Sequence, residues 1–311
     1  IRDVALDEAD PWLITATAPL AQVSHLSGSD AFTQAVKGLK SRFYHTDLTV
    51  GTNKPPPPSA PPTQAQTVEQ ADQTTQAVAI PLRPTRVLII GASSIQFELG
   101  RALEARFQAI EGVEVMRFGR HSTGLSRPDY FDWPEKAMAL KAQFQPDLII
   151  GQFGGNDGQG MTNLGGQAVA KFFTQKWAKT YSERVHALAE SLTADGTEFV
   201  LLGMPIMRAT TYRRSIGHVN DASIAGLEGT GAHFINTYEM TVGENDQFTR
   251  THTVEGRQRI TRATDGAHLT RHGAQRVSRL VMTGLEQWFN LGQVVPPATT
   301  RISSVEESAH H

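Results

Sequence analysis

Three short turns collect the side chains whose types and spacing could carry out chemistry. "GASS", Gly91 to Ser94, follows the apolar run "RVLII" and offers two adjacent hydroxyls. "GGND", Gly154 to Asp157, follows "DLIIGQF", and "DGAHLT", Asp265 to Thr270, precedes an amphipathic stretch. A serine hydroxyl is a weak nucleophile unless a base takes its proton, and histidine is the side chain poised for that near neutrality. The base in turn needs a carboxylate to fix its tautomer and stabilise the imidazolium. Asp265 and His268, three residues apart, can share one side of a turn, with the carboxylate on Nδ1 and Nε2 facing outward. An oxyanion formed on attack needs N–H donors, and the Asn156 carboxamide supplies them. The set therefore suits acyl transfer through a serine, with one of the two adjacent hydroxyls attacking and the other capping a helix.

The elements around these turns must bring them together. After residue 85, short apolar strands alternate with helices of 3.6 periodicity. Strands are predicted at "RVLII", "VEVMRFG", "PDLIIGQFGG", "EFVLLGMP" and "HFINTYEM". Helices are predicted through Leu99, Ala102, Leu103, Phe107 and Ile110, at "PEKAMALKAQF", from Val169 to Gly196, and over "RHGAQRVSRLVMTGLEQWF". This alternation predicts an α/β fold, a doubly wound, mostly parallel sheet between two helical layers. In such sheets ligands bind beyond the carboxyl ends of the strands, where all three turns fall.

Together the turns resemble those of the SGNH hydrolases, the GDSL-like esterase superfamily. Gly91-Ala92-Ser93, Gly154-Gly155-Asn156-Asp157 and Asp265-Gly266-Ala267-His268 stand in the family's order. Ala92 occupies the place of the aspartate in the family's first block, a residue that is not the triad acid. The resemblance spans roughly residues 86–291 and implies an SGNH/flavodoxin-like three-layer α/β/α sandwich. It implies Ser93 as nucleophile, with Ser94 left to start the helix, His268 as base and Asp265 as its orienting acid. It also implies an oxyanion hole from the amides of Ser93 and Gly124 and the side chain of Asn156. Neither a metal nor an organic cofactor is implied. The substrate expected is a small acyl ester, above all O-acetyl, of a carbohydrate or cell-envelope polysaccharide. An O-acetyltransferase working with a membrane-bound acyl-transfer partner, or a noncatalytic carbohydrate-binding protein on the same fold, are the alternatives.

Other motifs are weighed beside these. "RPDYFDWP" sets Arg127, Tyr130 and Trp133 on a loop that could stack and hydrogen-bond a sugar, or be pinned to the core by its aromatics. Arg262 and Arg271 flank the Asp–His pair and could meet a substrate anion. Asp157 is read as holding its turn. His268 and His272 with Asp265 could suggest a metal, but no HExxH occurs. The glycine-rich run 154–166 lacks the Gly-Lys-Ser/Thr ending of a phosphate loop, and Ile95 breaks a G-x-S-x-G elbow.

Composition closes off several classes. The chain has 311 residues, formal net charge -2 and no cysteine, so disulfides, thiolate metal sites and cysteine nucleophiles are excluded. No basic field points to nucleic acid. No apolar run of about 18 residues, enough to span a bilayer, occurs. Residues 1–50 are read as a helical arm, with Phe32, Ala35, Val36, Leu39 and Phe43 on one face and Ser29 or Asp30 as N-cap. Residues 51–84, with six prolines between Pro55 and Pro62, are read as a linker. The catalytic domain is expected over 85–292 and a tail over 293–311. The tether-like linker suggests a periplasmic or secreted protein, anchored by a segment upstream of Ile1.

Overall fold

Continuous apolar runs make poor half-exposed strands and good ones buried on both faces, and the central strands of this chain are of that kind. A computed structural model describes residues 82–292. The arm, most of the linker and the tail lie outside the described residues. Strands β1 (Arg86–Gly91), β2 (Glu114–Gly119) and β3 (Leu148–Gln152) form the first half of a parallel sheet. Strands β6 (Glu198–Leu202) and β7 (His233–Ile235) complete it in the order β2-β1-β3-β6-β7. Between them β4 (Met161–Thr162) and β5 (Ala168–Ala170) make a small antiparallel pair.

Alternate side chains of β1 feed two separate cores. Leu88 and Ile90 join Trp133, Phe153, Tyr181 and Leu188 under α3 (Trp133–Phe144), α4 (Gln175–Thr193) and α5 (Thr210–Leu227). Val87 and Ile89 join Ile95, Leu103, Phe107, Val277 and Val281 under α2 (Glu98–Gln108) and α6 (Arg271–Leu285). The result is a three-layer α/β/α sandwich. The sheet order changes direction between β1 and β3, and sheets of this kind bind ligands beyond the carboxyl ends at such a switch point.

Several boundaries differ from the sequence expectation. The helix expected from Val169 begins at Gln175, because the Thr174 hydroxyl accepts from the Trp177 amide while Ala168–Ala170 pairs as β5. The strand at "HFINTYEM" stops at Ile235, where the Asn236 side chain accepts from the Tyr238 amide and turns the chain. Helix α5 and the hairpin of β8 (Thr251–Val254) with β9 (Arg257–Ile260) were not anticipated. Pairing begins at Leu82, inside the segment read as linker: its carbonyl accepts from the Asn290 amide at 2.9 Å. Among the described residues no helix is long and apolar enough to cross a membrane.

Candidate active site

Ser93 is the first residue of a single-turn helix, α1 (Ser93–Gln96), set directly beyond β1. The Ala92 amide donates to the Gln152 carbonyl at 3.1 Å and so ties the turn to β3. Ala92 is the N-cap and no side chain caps the helix, so Ser94 does not start it in the way the sequence suggested. Ser93 is half-buried, and its Oγ lies 3.0 Å from His268 Nε2.

His268 and Asp265 sit in a closed turn before α6, which itself starts later behind the Thr270 cap. The Ala263 amide donates to the His268 carbonyl at 2.9 Å, and Arg262 bridges Leu269. Gly266 sits in this turn at φ 72°, and a Cβ there would collide with the Arg208 side chain. Asp265 Oδ2 accepts from His268 Nδ1 at 2.7 Å. Its Oδ1 accepts from the amides of Ala267 at 2.8 Å and His268 at 3.0 Å. Partial burial opposes ionisation of Asp265, but these hydrogen bonds outweigh it and bring its pKa down to about 2. With Nδ1–H given to Asp265, Nε2 is left to accept the Ser93 hydroxyl proton.

The residues expected to form the oxyanion hole come, apart from Ser93, from the loops after β2 and β3. Asn156 Nδ2 donates to the Thr123 carbonyl at 2.9 Å, which spends one N–H and leaves the second. Gly124 follows Thr123 and packs so close to Asp157 that any Cβ would strike its carboxylate. Asp157 is buried and accepts from the Ser126 amide at 2.7 Å and the Tyr181 hydroxyl at 2.9 Å. Burial pushes its carboxyl above the ordinary range against the pull of those bonds. It pins the turn, as expected.

The residues expected to bind substrate are less uniform. Trp133 is fully buried; its Nε1 donates to Thr123 Oγ1 at 3.0 Å and its ring packs edge-on against Phe131 and Phe153. It offers no face to a sugar, because the loop it was placed on is the first turn of α3. Arg127 is engaged bidentately by Asp129 at 2.9 and 2.8 Å, and Thr162 also donates to that carboxylate. Tyr130 stands free at 54 % exposure. Arg271 lines a cleft of about 650 Å³ between α2 and α6 that includes neither Ser93 nor His268. Arg262, expected to face a substrate anion, is fully buried, since the β8–β9 hairpin folds back beside it.

Two contributors escaped the sequence. The Tyr212 hydroxyl, from the first turn of α5, donates to the Gly155 carbonyl at 2.6 Å beside Asn156. The Arg208 amide donates to the Gly266 carbonyl at 3.0 Å. The spacing of Ile216, Val219, Ser223 and Leu227 was the available signal for the helix that carries Tyr212.

The parallel order with its switch point between β1 and β3, and the turns gathered there, define a three-layer α/β/α sandwich of the kind the resemblance to SGNH hydrolases implied. The chain belongs to the family described as "Protein of unknown function (DUF459)", whose model matches residues 86–284. Solved structures similar to it include a GDSL-like lipase from Bacteroides thetaiotaomicron VPI-5482, 18% identical with a TM-score of 0.45, over 65% of this chain and 88% of that one. An acetylxylan esterase from Geobacillus stearothermophilus is 14% identical with a TM-score of 0.47, over 66% of this chain and 96% of that one. No curated protein matches the sequence.

Proposed function

We propose that the chain is a serine ester hydrolase that works through an acyl-Ser93 intermediate. The observation that carries this reading is the unbroken series Asp265 Oδ2–His268 Nδ1 at 2.7 Å and His268 Nε2–Ser93 Oγ at 3.0 Å. Ser93 Oγ attacks the ester carbonyl while His268 Nε2 takes its proton, and Asp265 stabilises the imidazolium. The negative charge on the former carbonyl oxygen falls to the amides of Ser93 and Gly124 and the remaining N–H of Asn156. His268 then returns the proton to the leaving alkoxide, and a second nucleophile releases the acyl group by the same steps reversed.

The side chains of Asp265 and His268 are 48% and 47% exposed, so the base is open to solvent and water is the simplest acceptor. The substrate class that best fits the reading is a small acyl ester, foremost acetyl, on a carbohydrate. Turnover of p-nitrophenyl acetate by the wild type and Ser93→Ala at pH 7–8 tests the chemistry. Activity lost in the variant supports it; equal rates in both would remove Ser93 from the mechanism. Diversion of the acyl group from water to added saccharide would assign transfer instead of hydrolysis.

A further inference from the structure

Arg262 is a fully buried cation held by neutral groups. Its Nη2 donates to the Ala267 carbonyl at 2.7 Å and the Gly266 carbonyl at 3.3 Å, and lies 3.5 Å from Met207 Sδ. Its Nε and Nη1 have no hydrogen-bond partner among the described residues, and its guanidinium lies 5.5 Å from the Phe248 ring centre. No carboxylate among the described residues lies within ion-pair distance of it. Taking a guanidinium out of water for two carbonyls and a thioether is unfavourable. A leucine or methionine would fill the same space without that penalty, so packing alone does not account for an arginine here.

The two carbonyls it holds explain the choice. The Gly266 carbonyl belongs to the same peptide plane as the Ala267 amide, and the Ala267 carbonyl to the same plane as the His268 amide. In a trans peptide, C=O and N–H point in opposite directions. Drawing the Ala267 carbonyl inward to the guanidinium, and the Gly266 carbonyl to it together with the Arg208 amide, therefore turns both amides outward, and both of those amides donate to Asp265 Oδ1. Fixing Oδ1 sets the rotation of the carboxylate and leaves Oδ2 on His268 Nδ1. We propose that Arg262 is the positioning residue of the catalytic turn, acting through these two peptide planes to set the Asp265 carboxylate against His268. The inference rests on the serine-hydrolase reading for its kinetic consequence, but not for its geometry.

The test uses Arg262→Met and Arg262→Lys in the full chain, with Ser93→Ala as reference. Two properties are read: p-nitrophenyl acetate kinetics, and the low-field proton resonance of a His268 Nδ1–H bonded to a carboxylate. A cooperative thermal transition establishes that each variant is folded. In Arg262→Met, kcat and kcat/KM should fall together by about 10–100-fold at constant KM, as a small misplacement of a catalytic group does. The low-field line should shift upfield or broaden away, while in Ser93→Ala it persists. Lysine keeps the charge but lacks the planar fork, so Arg262→Lys should recover only part of both signals. A folded Arg262→Met with the wild-type line and kcat would overturn the proposal. Should Arg262→Met not fold, Arg262→Lys decides: an unmoved line sinks the idea and a shifted one supports it. If the wild type hydrolyses no ester yet the line depends on Arg262, the positioning stands and the ester chemistry falls.

Discussion

Ser93 Oγ and His268 Nε2 stand 3.0 Å apart although 175 residues separate them in the chain. The sheet makes that meeting: β1 delivers Ser93 to the carboxyl edge of the sheet, and the turn before α6 returns His268 to the same edge. Loss of either end should therefore remove acyl transfer without unfolding the domain. Ser93→Ala and His268→Ala should each lower kcat by about 10⁶-fold, and the double variant should be no worse than either alone. Steady-state kinetics of the three proteins checks this; additive losses would mean that the two groups do not act as one unit.

Asp265→Asn should keep the turn and lower kcat by about 10⁴-fold, since an amide can present its NH2 to Nδ1 and impose the wrong tautomer. KM should stay near the wild-type value. A loss as large as that of Ser93→Ala would instead indicate that the turn had collapsed.

Acid stability carries a related signature. Asp265 has its pKa lowered from 3.8 to about 2 in the folded chain, chiefly because the His268 and backbone hydrogen bonds overcome partial burial. Its contribution to stability is therefore present above pH 3.8 and is lost as pH falls toward 2. The group is nearly half exposed, so solvent screening keeps that contribution small. Asp129, also lowered to about 2 by its bond to Arg127, acts in the same window. Acid unfolding followed by circular dichroism should shift to higher pH in Asp129→Asn and, by less, in Asp265→Asn.

Much of this arrangement was readable in the sequence. The central residues of β1, β3 and β6 are apolar because both sheet faces are covered, and the three turns follow from strand–helix alternation. Trp133 misled because aromatics suit both a sugar platform and a core, and only its burial beneath Phe131 and Phe153 separates the two. Arg262 misled for the opposite reason: an arginine beside an Asp–His pair reads as exposed, and its burial depends on a hairpin that local pattern did not reveal. Helix α5 lacks a side-chain cap and carries Gly217 and Val219, so its start was weakly marked.

Tyr130, on the loop after β2, and Trp133, in the first turn of α3, should consequently behave differently. Trp133→Ala should destabilise the domain by about 3–5 kcal/mol through the cavity it leaves. Tyr130→Ala should stay within about 0.5 kcal/mol of wild type, as exposed substitutions do. Urea unfolding of both variants checks the contrast, and comparable losses would contradict the burial of one ring and the exposure of the other.

The oxyanion side gives the last prediction. Asp157 pins the loop that carries Gly124, and the Tyr181 hydroxyl is one of its buried donors. Tyr181→Phe leaves a buried carboxylate oxygen without that partner and should lower stability by about 1–3 kcal/mol. Asn156→Ala instead removes the donor proposed for the transition state, so it should lower kcat by about 10²–10³-fold with stability little changed. The two substitutions lie on neighbouring loops, yet one should register mainly in urea unfolding and the other mainly in kcat. If Asn156→Ala raised KM and spared kcat, its carboxamide would be holding substrate in the ground state, and the oxyanion would have to rest on the backbone amides alone.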